Sequence, residues 1–240
     1  MLQVRESHDQ SSDFLSGATH GGLETRKVVR DMEELLRGIP LRHRTLKAKD
    51  YVFRAGQPRH SLFLVHAGFF KTCLASPDGR EKITGFRMRG DMLGLDSLGI
   101  GTYACDAIAL DTGEVWELPY SDLCGSLPEF EQRITSFLAA EIRRDWNWML
   151  TLSTLSADQR VVSFLLDMAT RLGSLGFSRQ HMILRMTRAD LGSFLALKLE
   201  TVTRALSRLQ DKGLIAVQGK EITLRDPASM NDLLLAADCG

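Results

Sequence analysis

The sequence predicts an α+β protein with an N-terminal β jelly roll, a long central helix and a C-terminal winged helix-turn-helix. Three observations carry this. Glycines at 56, 68, 79, 90, 101 and 113 recur every 11 or 12 residues between short apolar segments. That is the rhythm of strands and tight turns in an antiparallel sandwich or barrel. After Leu127-Pro128 the glycines vanish until Gly173, and apolar residues return at three- and four-residue intervals, the period of a helix. Residues 186–217 then read as two short helices with a tight turn, followed by a strand.

At 240 residues the chain is longer than one average domain and short for three, so two domains are expected, each burying its own core. Its 30 basic and 30 acidic side chains cancel, which excludes a protein that holds nucleic acid by bulk charge. Any such contact must be local. No run approaches the roughly 18 to 20 apolar residues of a membrane span, and MLQVRESHDQSSDF lacks a basic-then-apolar signal. A cytoplasmic protein with no membrane partner is expected. Cys73, Cys105, Cys124 and Cys239 are scattered, without a CxxC pair, so reduced thiols and no metal centre are expected.

Residues 1–25 are rich in Ser, Gly, His and charge and read as a loose or docked arm. The jelly roll is assigned to 26–127, opening on a short helix at Arg26 to Arg37 and continuing through YVF, SLFLVHAG, FFKTCLA, EKITGF and EVWEL. The central helix takes 128–156, with Phe130, Ile134, Phe137, Leu138, Ile142, Trp146, Met149 and Leu152 on one stripe. One small barrel cannot cover a stripe that long. Ile134, Leu138, Ile142, Asp145, Met149 and Leu152 are therefore expected at a homodimer interface. The alternative, a helix buried within one chain, stays open, because Arg143, Arg144 and Asp145 interrupt the stripe. The winged helix-turn-helix takes 157–240. Ser156-Ala157-Asp158 caps its first helix, which buries Val161, Val162, Phe164, Leu165 and Met168 and ends at Gly173 and Gly176.

Thr187 can cap the next helix, containing Leu191, Phe194 and Leu195, while Gly192 is small enough for another helix to cross closely. Ala196-Leu197-Lys198 breaks the chain. In the helix that follows, Val202, Ala205, Leu206 and Leu209 form one apolar stripe, and Glu200, Thr203, Arg204 and Ser207 repeat that spacing opposite. Such a row near a helix N-terminus suits a recognition helix in a major groove. Arg204 can donate two hydrogen bonds to guanine O6 and N7, Glu200 can accept from a cytosine amine, and the Thr203 methyl can meet a thymine methyl. Arg188, Lys198, Thr201, Ser207, Arg208 and Lys220 are expected to position the phosphate backbone of double-stranded DNA. Between 185 and 220 seven basic residues oppose three acidic ones, a local excess of four. LIAVQGKEITLRD reads as a β-wing turning at Gly219, with Lys220 near the phosphates. The competing account is an ordinary solvated face on which Glu200 and Arg204 form an i,i+4 ion pair.

DGREKITGFRMRGDMLGLDSLGIG and LETVTRALSRLQDKGLIAVQGKEITL resemble the sensor core and the recognition helix and wing of the CRP/FNR family of transcription regulators, in its FNR-like branch. The likeness covers nearly the whole chain beyond the arm. It implies that the E-x-x-S-R reading pattern falls on Glu200, Thr203 and Arg204, with threonine for serine. It also implies a homodimer on a palindrome of TTGAT-like half-sites, and RNA polymerase contact through barrel loops such as that around Thr84 to Arg87. Activation or repression then depends on operator position. An Asp in the FNR helix that opposes dimerisation falls on Asp145; the other reading makes Asp145 a solvated residue paired with Arg144 or an arginine of the partner.

The sensor half departs from the family. FNR proteins hold an oxygen-labile [4Fe–4S] cluster through N-terminal cysteines plus one in the barrel, but residues 1–72 contain none and the barrel position is Trp116. No cluster is expected. Where CRP proteins place the Glu, Arg and Ser that bind cyclic AMP stand Leu95, Tyr103 and Ala104, so tight cAMP binding is not expected either. Haem through His43, His60 or His66 is not expected, since a lone strand histidine is more often a polar surface or satisfied core residue. Unpaired cysteines are usually small core hydrophobes. A member whose DNA binding answers to a small ligand, haem or redox change is the alternative. No enzyme is expected, because the chain lacks a P-loop, a strand-borne G-x-G-x-x-G, a G-x-S-x-G elbow and a metal-type His/Glu pair. A ligand-binding module serving protein partners would leave the helix-turn-helix idle.

Overall fold

Eight antiparallel strands build the N-terminal half in this computed structural model, which describes residues 31–75, 79 and 81–235. The predicted arm at 1–25, the start of the helix predicted from Arg26, and Cys239 lie outside the described residues. The strands are β1 (Arg42–Leu46), β2 (Tyr51–Phe53), β3 (Ser61–Ala67), β4 (Phe69–Ala75), β5 (Glu81–Met88), β6 (Met92–Leu93), β7 (Asp106–Ala109) and β8 (Gly113–Pro119). They form two sheets ordered β1-β8-β3-β6 and β2-β7-β4-β5, the strand order of a jelly roll. Of the six rhythmic glycines, the first five have positive φ at turns. Gly113 answers a different need: a Cβ there would lie 2.8 Å from the Ala67 carbonyl and the Phe70 ring, so only glycine lets the β3–β4 corner approach β8.

The two sheets enclose Val52, Phe53, Phe63, Val65, Phe70, Tyr103, Cys105 and Val115. Tyr103 stacks on Phe53 with centroids 3.8 Å apart and donates its hydroxyl to the Ser61 carbonyl at 2.8 Å. Both outer faces are covered as well. On the β3 side, Leu62, Leu64, Met92 and Leu118 pack under a helix whose described residues are 31–35 (α1), α2 (Tyr120–Ser126) and the start of α3 (Phe130–Thr154). Burial on both sides explains why β3 reads as the continuous run SLFLV rather than an alternation.

The C-terminal half contains α4 (Ala157–Ser174), β9 (His181–Ile183), α5 (Arg188–Leu195), α6 (Leu199–Asp211), β10 (Ile215–Gln218), β11 (Glu221–Leu224) and α7 (Pro227–Leu235). Ser156 N donates to Gln159 Oε1 at 2.9 Å, closing the cap predicted there. Besides the core inside the roll, the halves share one. Cys73, Ile83, Phe86, Met88 and Ile108, on the outer face of the β4–β5 sheet, are continuous with Phe164, Leu165, Phe194, Leu206 and the rest of the C-terminal interior. Half-buried Asp91, after β5, collects Arg171 of α4, with Arg144 of α3 at 3.8 Å. Burial alone would raise its pKa, but Arg171, Arg144 and Arg87 outweigh this and hold the carboxyl below its usual range.

Two expectations are corrected. Thr84 to Arg87 is not an exposed loop but part of β5: a bulge opposite Thr72-Cys73 accommodates the extra residue, Phe86 is buried, and Arg87 pairs with Glu141 at 2.6 Å. Ile134 is not free for a partner subunit. It is buried against Leu62, Leu118 and Phe130 of its own chain, because the first two turns of α3 lie on the roll. The stripe emerges only later, where Ile142 is 47%, Trp146 61% and Met149 65% exposed. Leu138 and Leu152 are half-buried on their own chain. Asp145 is exposed, and partial desolvation followed by the Glu141 charge raises its pKa. Arg144, one partner considered for it, turns to Asp91 instead.

Candidate nucleic-acid interface

The helix-turn-helix is α5, a break, and α6. Thr187 Oγ1 accepts from Asp190 N and Asp190 Oδ2 accepts from Thr187 N, both at 3.0 Å, a capping box that fixes the start of α5. Ala196 ends α5 in the left-handed region with φ 54°. Gly192 serves this turn rather than a crossing helix: a Cβ on it would meet the Leu197 carbonyl at 2.7 Å.

On α6 the predicted stripe of Val202, Ala205, Leu206 and Leu209 is buried throughout, which fixes the rotation of the helix. Glu200, Arg204 and Ser207 are therefore exposed and Thr203 is half-buried. Among the described residues no ion pair joins Glu200 to Arg204; Arg204 Nε donates instead to the Glu200 carbonyl at 3.4 Å. Thr203 Oγ1 donates to the Leu199 carbonyl at 3.0 Å and accepts from Arg188 Nη1 at 3.5 Å, so an α5 arginine stands beside the reading row. Ser207 Oγ donates to the Thr203 carbonyl at 3.2 Å.

Lys198 is the exposed N-cap of α6, and Thr201 is half-buried in its first turn. Lys220 is exposed at the tip of the β10–β11 wing, beside Gly219 with φ 64°. Arg208 is engaged elsewhere: its guanidinium makes a double contact with Asp158 at the start of α4, with Nε to Oδ2 at 2.8 Å. Arg185 pairs with Asp111 of the roll at 3.4 Å, and Asp190 with Lys71 of the roll at 2.9 Å. Arg188, Lys198, Arg204, Lys212 and Lys220 remain as exposed cations around the reading row. Sequence reasoning missed β9, which pairs with β11 and extends the wing to three strands, and α7, whose Leu233 carbonyl accepts from Gln159 Nε2 at 3.0 Å. A three-residue strand carries no readable period.

The chain matches the Crp-like helix-turn-helix domain over residues 159–233 and the cyclic nucleotide-binding domain over 43–125. It is 38% identical over 202 residues to the transcriptional activator protein anr of Pseudomonas aeruginosa, covering 83% of this chain and 82% of that protein. It is 34% identical over 195 residues to the fumarate and nitrate reduction regulatory protein of Escherichia coli K12, covering 80% and 78%. Among solved structures, FixK2 of Bradyrhizobium japonicum superposes with a TM-score of 0.72 at 28% identity, over 81% of this chain and 98% of that one.

Proposed function

Because the chain belongs to the CRP/FNR family of transcription regulators, we propose that it binds a palindromic TTGAT-like DNA site as a homodimer and acts there on RNA polymerase. One observation carries the reading: exposed Glu200 and Arg204, with half-buried Thr203, form one row on the helix whose opposite stripe is locked into the core. Electrophoretic binding to the palindrome tests it, and equal affinity for a scrambled duplex at moderate salt would sink it. Arg204→Ala is expected to cost roughly 1 to 3 kcal/mol of binding and relax specificity at one base. Arg188→Ala is expected to weaken all sequences alike and reduce the salt slope by about 1. Arg208, tied to Asp158, is a weaker candidate for phosphate than Lys198 or Lys220.

The reading includes no iron–sulfur cluster, no tight cAMP binding and no haem. Trp116, at the barrel position of the FNR cysteine, lies between the rings of His43 and His66, with centroids 5.2 and 4.6 Å away. Cys105 faces the roll interior and Cys73 the seam between the halves; burial pushes the Cys73 thiol up to about 11 and raises Cys105 further. These residues do not fit a cluster, which needs thiolates converging on one point. Tyr103 and Leu95, which the resemblance sets at the positions of the family's cyclic-nucleotide contacts, are buried. Protein purified without oxygen is expected to carry no stoichiometric iron and no cluster absorbance; finding both would reverse this part.

A further inference from the structure

The reading head is gripped by the sensor at both ends of α5. Strand β5 is the edge of its sheet, where backbone groups lack a neighbouring strand. The Ser193 hydroxyl takes that place: it accepts from Ile83 N at 3.0 Å and donates to the Glu81 carbonyl at 3.1 Å. Next to it, Lys82 Nζ donates to the carbonyls of Ser193 and Phe194, in the last turn of α5, where helix carbonyls lack partners of their own. At the other end Lys71 Nζ reaches Asp190 Oδ1 at 2.9 Å and Glu81 Oε2 at 3.3 Å. Asp190 is the same carboxylate that closes the α5 capping box, so one side chain both starts the helix and ties it to the roll. While α5 is held this way, Glu200 and Arg204 stay exposed.

We propose that Lys71 and Lys82 are positioning residues for DNA binding: by clamping α5 at its two ends they fix the angle at which α6 leaves the sensor sheet. This rests on the DNA-binding reading above. A palindrome asks for two recognition helices about 34 Å apart, and a head already held at the right angle forfeits less freedom on binding than one that swings. The docked state is the binding-competent one, since it leaves the reading row open. Burial works against the Lys71 ammonium, but the hydrogen bond and charge of Asp190, with Glu81, outweigh it and raise its pKa.

The test uses the full chain with Lys71→Met/Lys82→Met, Asp190→Asn, which keeps an acceptor for the cap while removing the charge, and Lys71→Arg, which keeps the ion pair. X-ray scattering without DNA and affinities for the palindrome and a scrambled duplex are measured on each. The double variant is expected to scatter as a more extended particle and to lose roughly tenfold in palindrome affinity, with scrambled-duplex affinity and dimerisation unchanged. Asp190→Asn should lose part of this and Lys71→Arg almost none. Undiminished or tighter palindrome binding by the double variant or by Asp190→Asn overturns the proposal, and marks the clamp as inhibitory if it is tighter. If the unaltered protein fails to distinguish the two duplexes, the DNA reading itself falls and takes the proposal with it, while scattering still reports the clamp.

Discussion

Phe86→Ala is expected to cost about 3 to 5 kcal/mol, the range for emptying a fully buried aromatic site, and to split thermal unfolding into two steps. Phe86 of β5 meets Phe164 of α4 and Phe194 of α5 edge-on, with centroids 5.8 and 5.3 Å away, and Trp148 of α3 closes on Phe194 at 4.7 Å. Four rings from four elements thus make one junction between sensor, central helix and DNA-binding half. The core they share is expected to make the halves melt as one unit in the unaltered protein. Truncating the ring opens a cavity on the seam, which the halves can relieve by separating. Scanning calorimetry of the purified protein reads this: one transition should become two, the lower shifted by several degrees, at roughly 2 to 4 °C per kcal/mol for a chain of this size. A single transition within a degree of the original would mean that the seam is not a shared core.

The second large effect is expected from Ile142→Glu/Met149→Glu. Both side chains are exposed on the single chain, so its folding should change little. If α3 pairs with its copy along this part of the stripe, two buried carboxylates per subunit break the assembly. Sedimentation should then show a monomer. Affinity for the palindrome should fall about 10²- to 10⁴-fold, because the second half-site is no longer delivered by the first. A variant that still sediments as a dimer would place the interface elsewhere. Asp145→Ala separates its two readings in the same assay: the dimer tightens if the carboxylate opposes assembly and is unmoved if it is solvated.

The reading row was legible because a helix with one buried stripe has a single exposed complement, and Val202, Ala205, Leu206 and Leu209 declare that stripe at the helical period. The jelly roll was legible through its turn glycines, whose backbone conformation other residues rarely adopt. Periodicity states that a face is apolar, not what covers it. Hence Ile134 and Met149 look alike in sequence although one packs on the roll and the other is open. The family resemblance points to a loop around Thr84 to Arg87 where the chain makes a bulged strand. Pairings such as Lys71 with Asp190 or Asp91 with Arg171 join residues far apart in sequence. No local pattern announces them, and they are what seats the head on the sensor.

Strand β7 is two-sided in its consequences. Ala107 and Ala109 look into the roll, and Ile108 between them looks into the DNA-binding half. The wall of the inner chamber is also the floor on which the head stands, one backbone thick. A change of side-chain volume on one surface is therefore felt on the other through a single peptide unit, without hinge or lever, and the two halves cannot diverge independently along this strand.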